Sequence, residues 1–177
     1  MNSTPSGSSG RSKRDDLMLK AIKWSGSALV VLLAVAQFIQ PARTNPASDA
    51  ARAIDSHVEM APEVSATLDR ACYDCHSNAT HWPWYSKVAP VSWFLVSHVN
   101  DGRRHLNFSE WAKYDRSKAA KKMQEIDEEV TNKAMPLSSY TLLHPEARLS
   151  DQERALISAW ANAESNRLAL TRVAAPE

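Results

Sequence analysis

Apolar residues recur at intervals of three and four through the second half of this chain. Two-residue alternation is sustained nowhere, so the pattern predicts an all-α protein. Four helices follow from it. The first opens at Pro62, a favourable first helical position, and its stripe Val64, Leu68, Ala71 and Cys72 leads towards Cys75. The second follows Pro90, with Val91, Leu95, His98 and Val99 on one face. The third runs from Ser117 to Asn132, with Ala119, Met123, Ile126 and Val130 inward and charges outward. The fourth opens with Ser150-Asp151-Gln152-Glu153, which can close a capping box, and carries the stripe Leu156, Trp160 and Ala163. Between the last two, Ala134-Met135-Pro136-Leu137, Tyr140 and His144-Pro145 read as loop.

A different pattern occupies the N-terminal part. The 19 positions from Trp24 to Ala42 hold no charge, and at about 1.5 Å per residue they nearly match a ~30 Å hydrocarbon layer. Before them stand Arg11, Lys13, Arg14, Lys20 and Lys23 against Asp15 and Asp16, whereas only Arg43 and Arg52 follow closely. The positive-inside bias then puts the N-terminus in the cytoplasm and the remainder across the membrane. Two other readings use the same residues. Ala34-Val35-Ala36 has the small-x-small pattern of a signal-peptide cleavage site, although the apolar run continues through Phe38 and Ile39. A buried core helix fits the flanking polarity less well. The chain thus divides into a disordered cytoplasmic tail (1–20), a transmembrane anchor (21–41), a Pro- and Ala-rich linker (42–56) and one folded domain (57–170).

Charge narrows the function little: 21 Lys and Arg stand against 20 Asp and Glu, so nothing pulls the chain towards nucleic acid. The cysteines say more. The chain has two, and Cys72-Tyr73-Asp74-Cys75-His76 is the C-x-x-C-H arrangement of a c-type haem attachment site. Two thiols three positions apart can reach two vinyl groups of one haem, while the adjoining His offers an imidazole to the iron. The cofactor expected is therefore one haem c per chain. A disulfide across so small a loop would constrain little, and a thioredoxin-like pair needs the helix to open at the first Cys. Zinc would need a second closely spaced ligand pair, which His81, His98, His105 and His144 do not provide. For the sixth iron ligand Met135, in a loop and followed by Pro136, leads His144 and His98. Trp82, Trp84, Trp93, Trp111 and Trp160, with Tyr85, Phe94 and Phe108, are read as pocket walls and core. Arg103, Arg104 and Lys87 are candidates to pair with haem propionates.

These residues sit in a wider pattern: Cys72 to Asn78, Trp82-Pro83-Trp84-Tyr85-Ser86, Pro90-Val91-Ser92-Trp93, Gly102-Arg103, Leu106-Asn107-Phe108-Ser109, Met135-Pro136, Tyr140, His144-Pro145 and Trp160. Over roughly Gln37 to Trp160 the chain resembles the bacterial haem-binding domain family, small c-type modules commonly found behind one N-terminal membrane segment. The resemblance implies covalent haem at Cys72 and Cys75, His76 as axial ligand and a cytochrome c-like helical core. The expected location is the bacterial inner membrane, with the haem domain in the periplasm and membrane lipid and redox proteins as partners. Electron transfer is the first reading. A gas or redox sensor would favour an open or displaceable sixth position, and a peroxidase-like enzyme would need distal groups such as His81 or His105.

Overall fold

The first helix extends the apolar run backwards into the charged residues before it. In the computed structural model, which describes residues 13–170, α1 spans Lys13–Ala36 and buries none of its side chains. Its 24 residues make about 36 Å of helix, long and apolar enough to cross a membrane. The tail read as disordered is therefore helical from Lys13 onward, and its first 12 residues lie outside the described part. The helix also stops earlier than position 41. Gln37 leaves it, its Nε2 donating to Leu33 O at 2.9 Å and to Ala89 O at 3.1 Å, while its Oε1 accepts from Ala89 N at 3.0 Å.

The segment read as a tether is laid along the domain. Arg43 donates to Ser86 O (3.1 Å), Asn45 to Thr80 O (2.9 Å), and Asn45 Oδ1 accepts from Trp82 (3.1 Å). Two 3-10 turns follow, Ala50–Arg52 and Ile54–Ser56, and Ile54 is wholly buried in the main core. Pro and Ala composition suggested a free linker because its few anchoring side chains are scattered singly among small residues.

Next come α2 (Pro62–Ala71) and the single turn α3 (Tyr73–His76), then α4 (Val91–His105), reached through a 3-10 turn at Trp84–Lys87. In α2, Val64, Leu68 and Ala71 are buried as the spacing predicts. In α4 the buried line is Ser92, Val96 and Val99, one step round from the expected one, and Val91 is exposed. Apolar spacing passes over small Ser92, which packs into the interior near the preceding turn.

Of the remaining helices, α5 (Arg116–Thr131) buries Ala119, Met123, Ile126 and Val130, every position its spacing selects. A short helix, α6 (Ser138–Leu143), occupies part of the stretch read as loop; six residues are too few to show a period. The last, α7 (Asp151–Leu170), starts with the capping box: Ser150 N donates to Glu153 Oε2 (2.8 Å) and Glu153 N to Ser150 Oγ (3.2 Å). It runs antiparallel to α5, since Arg154 bonds Val130 O, Ser158 bonds Asp127, and Ser165 bonds Ala120 O. Its buried line is Ile157, Ala161, Glu164 and Ser165, and Ala163 is exposed. Small side chains let the two helices approach, and bulky Trp160 moves to the edge, where its indole donates to Glu59 O. No strand occurs among the described residues, so the all-α class holds.

If residues 50–56 belong to the fold, Ile54→Ala should cost about 2–5 kcal/mol of unfolding free energy. A urea titration of the membrane-free or detergent-held chain would read this as a lower midpoint at unchanged slope.

Candidate functional site

The Cys72–His76 turn is held from both sides by polar contacts. Before it, α2 brings Ala71 and Cys72 into the core; after it, Ser77 Oγ donates to Tyr73 O (2.7 Å), Thr80 Oγ1 to Asp74 O (2.6 Å) and Asn78 N to Ser109 Oγ (3.0 Å). The end of α4 crosses directly over it. A Cβ on Gly102 would lie 2.6 Å from Cys75 O, so only glycine permits the approach.

That crossing determines the state of His76. Its Nδ1 lies 3.1 Å from both Gly102 O and Leu106 O. Carbonyls only accept, so Nδ1 carries the proton and donates, which leaves Nε2 as the unprotonated nitrogen. Burial lowers the imidazole's proton affinity, and the two carbonyls partly offset this. A neutral, oriented imidazole is the form that binds a metal ion.

Beside it lies a cavity of about 690 Å³, within the size range of cofactor sites. Cys72, Cys75, His76 and Met135 all line it. Its apolar wall is made by Leu68, Ala71, Leu106, Phe108, Ile126 and Val130. Burial, with the charge of Cys75 adding to it, pushes the Cys72 thiol up to about 12, and burial with the charge of Asp74 pushes the Cys75 thiol up to about 11. Such thiols stay protonated and lack the lowered pKa of a reactive redox pair.

Met135 reaches the cavity through the turn that ends α5. Ala134 N and Met135 N bond Glu129 O, Lys133 N bonds Val130 O, and Lys133 takes the left-handed conformation, φ 60°. This is a Schellman-type end. Arg154 of α7 then donates to both Val130 O and Met135 O, each at 2.9 Å, which fixes the backbone of the methionine.

The other candidates separate. His98 lines the cavity, with Nδ1 2.9 Å from Phe94 O. His105 lines it too, while His81 sits outside it against Asp74. His144 is engaged on both nitrogens, by Tyr85 OH (2.5 Å) and Glu146 (2.9 Å), and does not line it. Arg103 bonds Ser77 O, Thr44 O, Asn45 and Thr80, and Arg104 pairs with Asp101. Neither they nor Lys87 reach the cavity; among the described residues Lys122 is the Lys or Arg that lines it, paired with Glu125. In the sequence Lys122 belongs to a charged helix face, although its spacing to Ile126 and Glu129 puts it on the lining stripe. Of the aromatic residues read as walls, Phe108 lines the cavity and Trp111 is core. Trp82, Trp93 and Trp160 instead donate their indole N–H to Asn45, Ile39 O and Glu59 O, tying outlying chain to the domain. Tyr140 lines the cavity and bonds Asp74 within the Cys72–His76 turn (2.8 Å).

The haem-binding domain family matches residues 31–163 of this chain. The chain belongs to that family. No curated protein and no solved structure matches it. The match takes in the end of α1, the docked segment and the domain as far as α7. Apolar walls, a metal-ready imidazole and a basic side chain for an acidic group suit this haem-binding domain to its cofactor.

The contact at Gly102 is directly testable. Gly102→Ala should lower stability by about 1–3 kcal/mol through overpacking and reduce haem incorporation. Gly26→Ala, whose Cβ would meet nothing within 4 Å, is the matched control and should change neither.

Proposed function

We propose that this domain carries one haem c, joined by thioether bonds to Cys72 and Cys75, with His76 Nε2 and Met135 sulfur as axial ligands, and acts as a membrane-anchored electron carrier. The observation that carries the reading is the presence of both thiols, the unprotonated Nε2 and Met135 on the walls of one cavity. Haem supplies one-electron iron chemistry when bound. The protein's part is to orient the imidazole through the two α4 carbonyls, to position Met135 through Arg154, and to exclude water with Leu68, Phe108, Ile126 and Val130. Lys122 is the group for a haem propionate.

With α1 in the bacterial inner membrane, N-terminus in the cytoplasm, the haem domain lies in the periplasm. Lys20 and Lys23 near the start of the apolar run support that orientation. A sensor reading rests on His98, which shares the cavity with Met135 and offers the iron an exchangeable second choice.

Covalent attachment predicts a haem-staining band that survives denaturing electrophoresis and disappears in Cys72→Ala/Cys75→Ala; staining of the double variant would refute it. Ligation by Met135 predicts a weak near-infrared sulfur-to-iron band in the oxidised protein. Met135→Ala should remove that band and open the iron to carbon monoxide, and Met135→His should keep six ligands while lowering the potential. An oxidised spectrum that lacks the band, is unchanged by Met135→Ala and is altered by His98→Ala would transfer the role to His98.

A further inference from the structure

Where the chain leaves α1, the domain presents apolar side chains to solvent. Phe38 is 90% exposed and Phe94 54%, with Ile39, Val88, Val91 and Trp93 also exposed. They come from two stretches distant in sequence, 38–39 and 88–94, yet three contacts bind these together. Gln37 exchanges two hydrogen bonds with the backbone of Ala89, Trp93 donates its indole N–H to Ile39 O at 2.6 Å, and Arg43 donates to Ser86 O. The first turn of α4 is thereby fixed beside the end of the apolar helix.

We propose that this face, formed by Phe38, Ile39, Val88, Val91, Trp93 and Phe94, rests in the interfacial layer of the lipid bilayer that α1 enters. The proposal depends on α1 being a membrane anchor. Given the anchor, continuity decides the occupant: residues 38 and 39 follow the helix end by two and three positions, so lipid headgroups are already where another protein would have to bind. The composition agrees. Trp is enriched at membrane–water boundaries because it joins an apolar body to a polar edge, Phe and aliphatic side chains form the lipid-facing side of interfacial segments, and an apolar patch next to a membrane segment is covered by lipid at no further ordering of a partner. Exposed Lys87 stands beside the patch, where its ammonium can meet lipid phosphate.

The test places a nitroxide spin label, one at a time, at Leu32→Cys in α1, Val91→Cys and Phe94→Cys in the patch, and Glu128→Cys on the exposed side of α5. The full-length holoprotein is reconstituted in vesicles of phosphatidylethanolamine and phosphatidylglycerol, and the wild-type chain, with its own two cysteines, is taken through the same labelling as blank. Relaxation by oxygen, enriched in lipid, is compared with relaxation by a water-soluble nickel chelate. Labels at 91 and 94 should be favoured by oxygen, as at 32, while the label at 128 should be favoured several-fold by the chelate. If 91 and 94 behave like 128 while 32 remains immersed, the docked face is refuted and the anchor stands. If 32 is itself open to the chelate, the anchor reading fails and the docking falls with it. Phe38→Glu together with Val91→Glu should release a label at Val88→Cys into water without altering the haem spectrum; retention of that label in lipid would also overturn the proposal.

Discussion

The close crossing of α4 over the Cys72–His76 turn is the constraint on which the site depends. Glycine at position 102 allows the helix to come within touching distance of Cys75. The same approach brings the carbonyls of Gly102 and Leu106 to one imidazole nitrogen. Leu106 caps the helix, so its carbonyl lies beyond the intrahelical ladder, and the Gly102 carbonyl, which accepts from Leu106 N, keeps a second lone pair for the imidazole. Here the two carbonyls orient a ring and select its tautomer, while burial keeps it neutral. Arg103, the next residue, anchors the chain after His76 through Ser77 O and Thr80, so a short stretch of α4 serves both purposes.

The opposite wall is organised by the antiparallel pair α5 and α7. Their small-residue contact places the lining stripe of α5, Lys122, Ile126, Glu129 and Val130, towards the cavity. Arg154 reaches from α7 to the carbonyl of Met135, so the position of the thioether follows from helix packing as well as from the loop itself. Tyr140 ties the short α6 back to Asp74. The cavity is thus closed by elements from three parts of the chain, each held by at least one named polar contact.

What the sequence disclosed was what is local. The Cys72–His76 spacing, the capping box at Ser150 and the buried line of α5 are each written within a few adjacent turns; the structure sets Cys72, Cys75 and His76 on one cavity, closes the box and buries that line. Interfaces were harder to read. The buried lines of α4 and α7 are displaced because Ser92, Ala161 and Ser165 are interior for their small size, a property that hydrophobic spacing does not register. Bulk alone assigns the tryptophans to pocket walls and core, whereas indole N–H groups at 82, 93 and 160 work as donors to distant backbone or side-chain oxygens. Met135 stood out as a Met-Pro pair in a break between helices, but Lys122 was hidden among neighbouring charges until the helix face was fixed.

The docked path of residues 37–56 has a consequence for encounters with other proteins. Fifteen residues of free coil would let a domain wander over roughly 20 Å. Held by Arg43, Asn45 and buried Ile54, this stretch allows no such excursion. Around seven residues of α4, about 10 Å of helix, separate Val91 from His98 at the cavity wall. With α1 in a bilayer, collisions become a problem of sliding in two dimensions: the domain travels as a unit with its helix at one fixed height, and under the proposed electron-carrier role a partner protein has to present its own centre at that height.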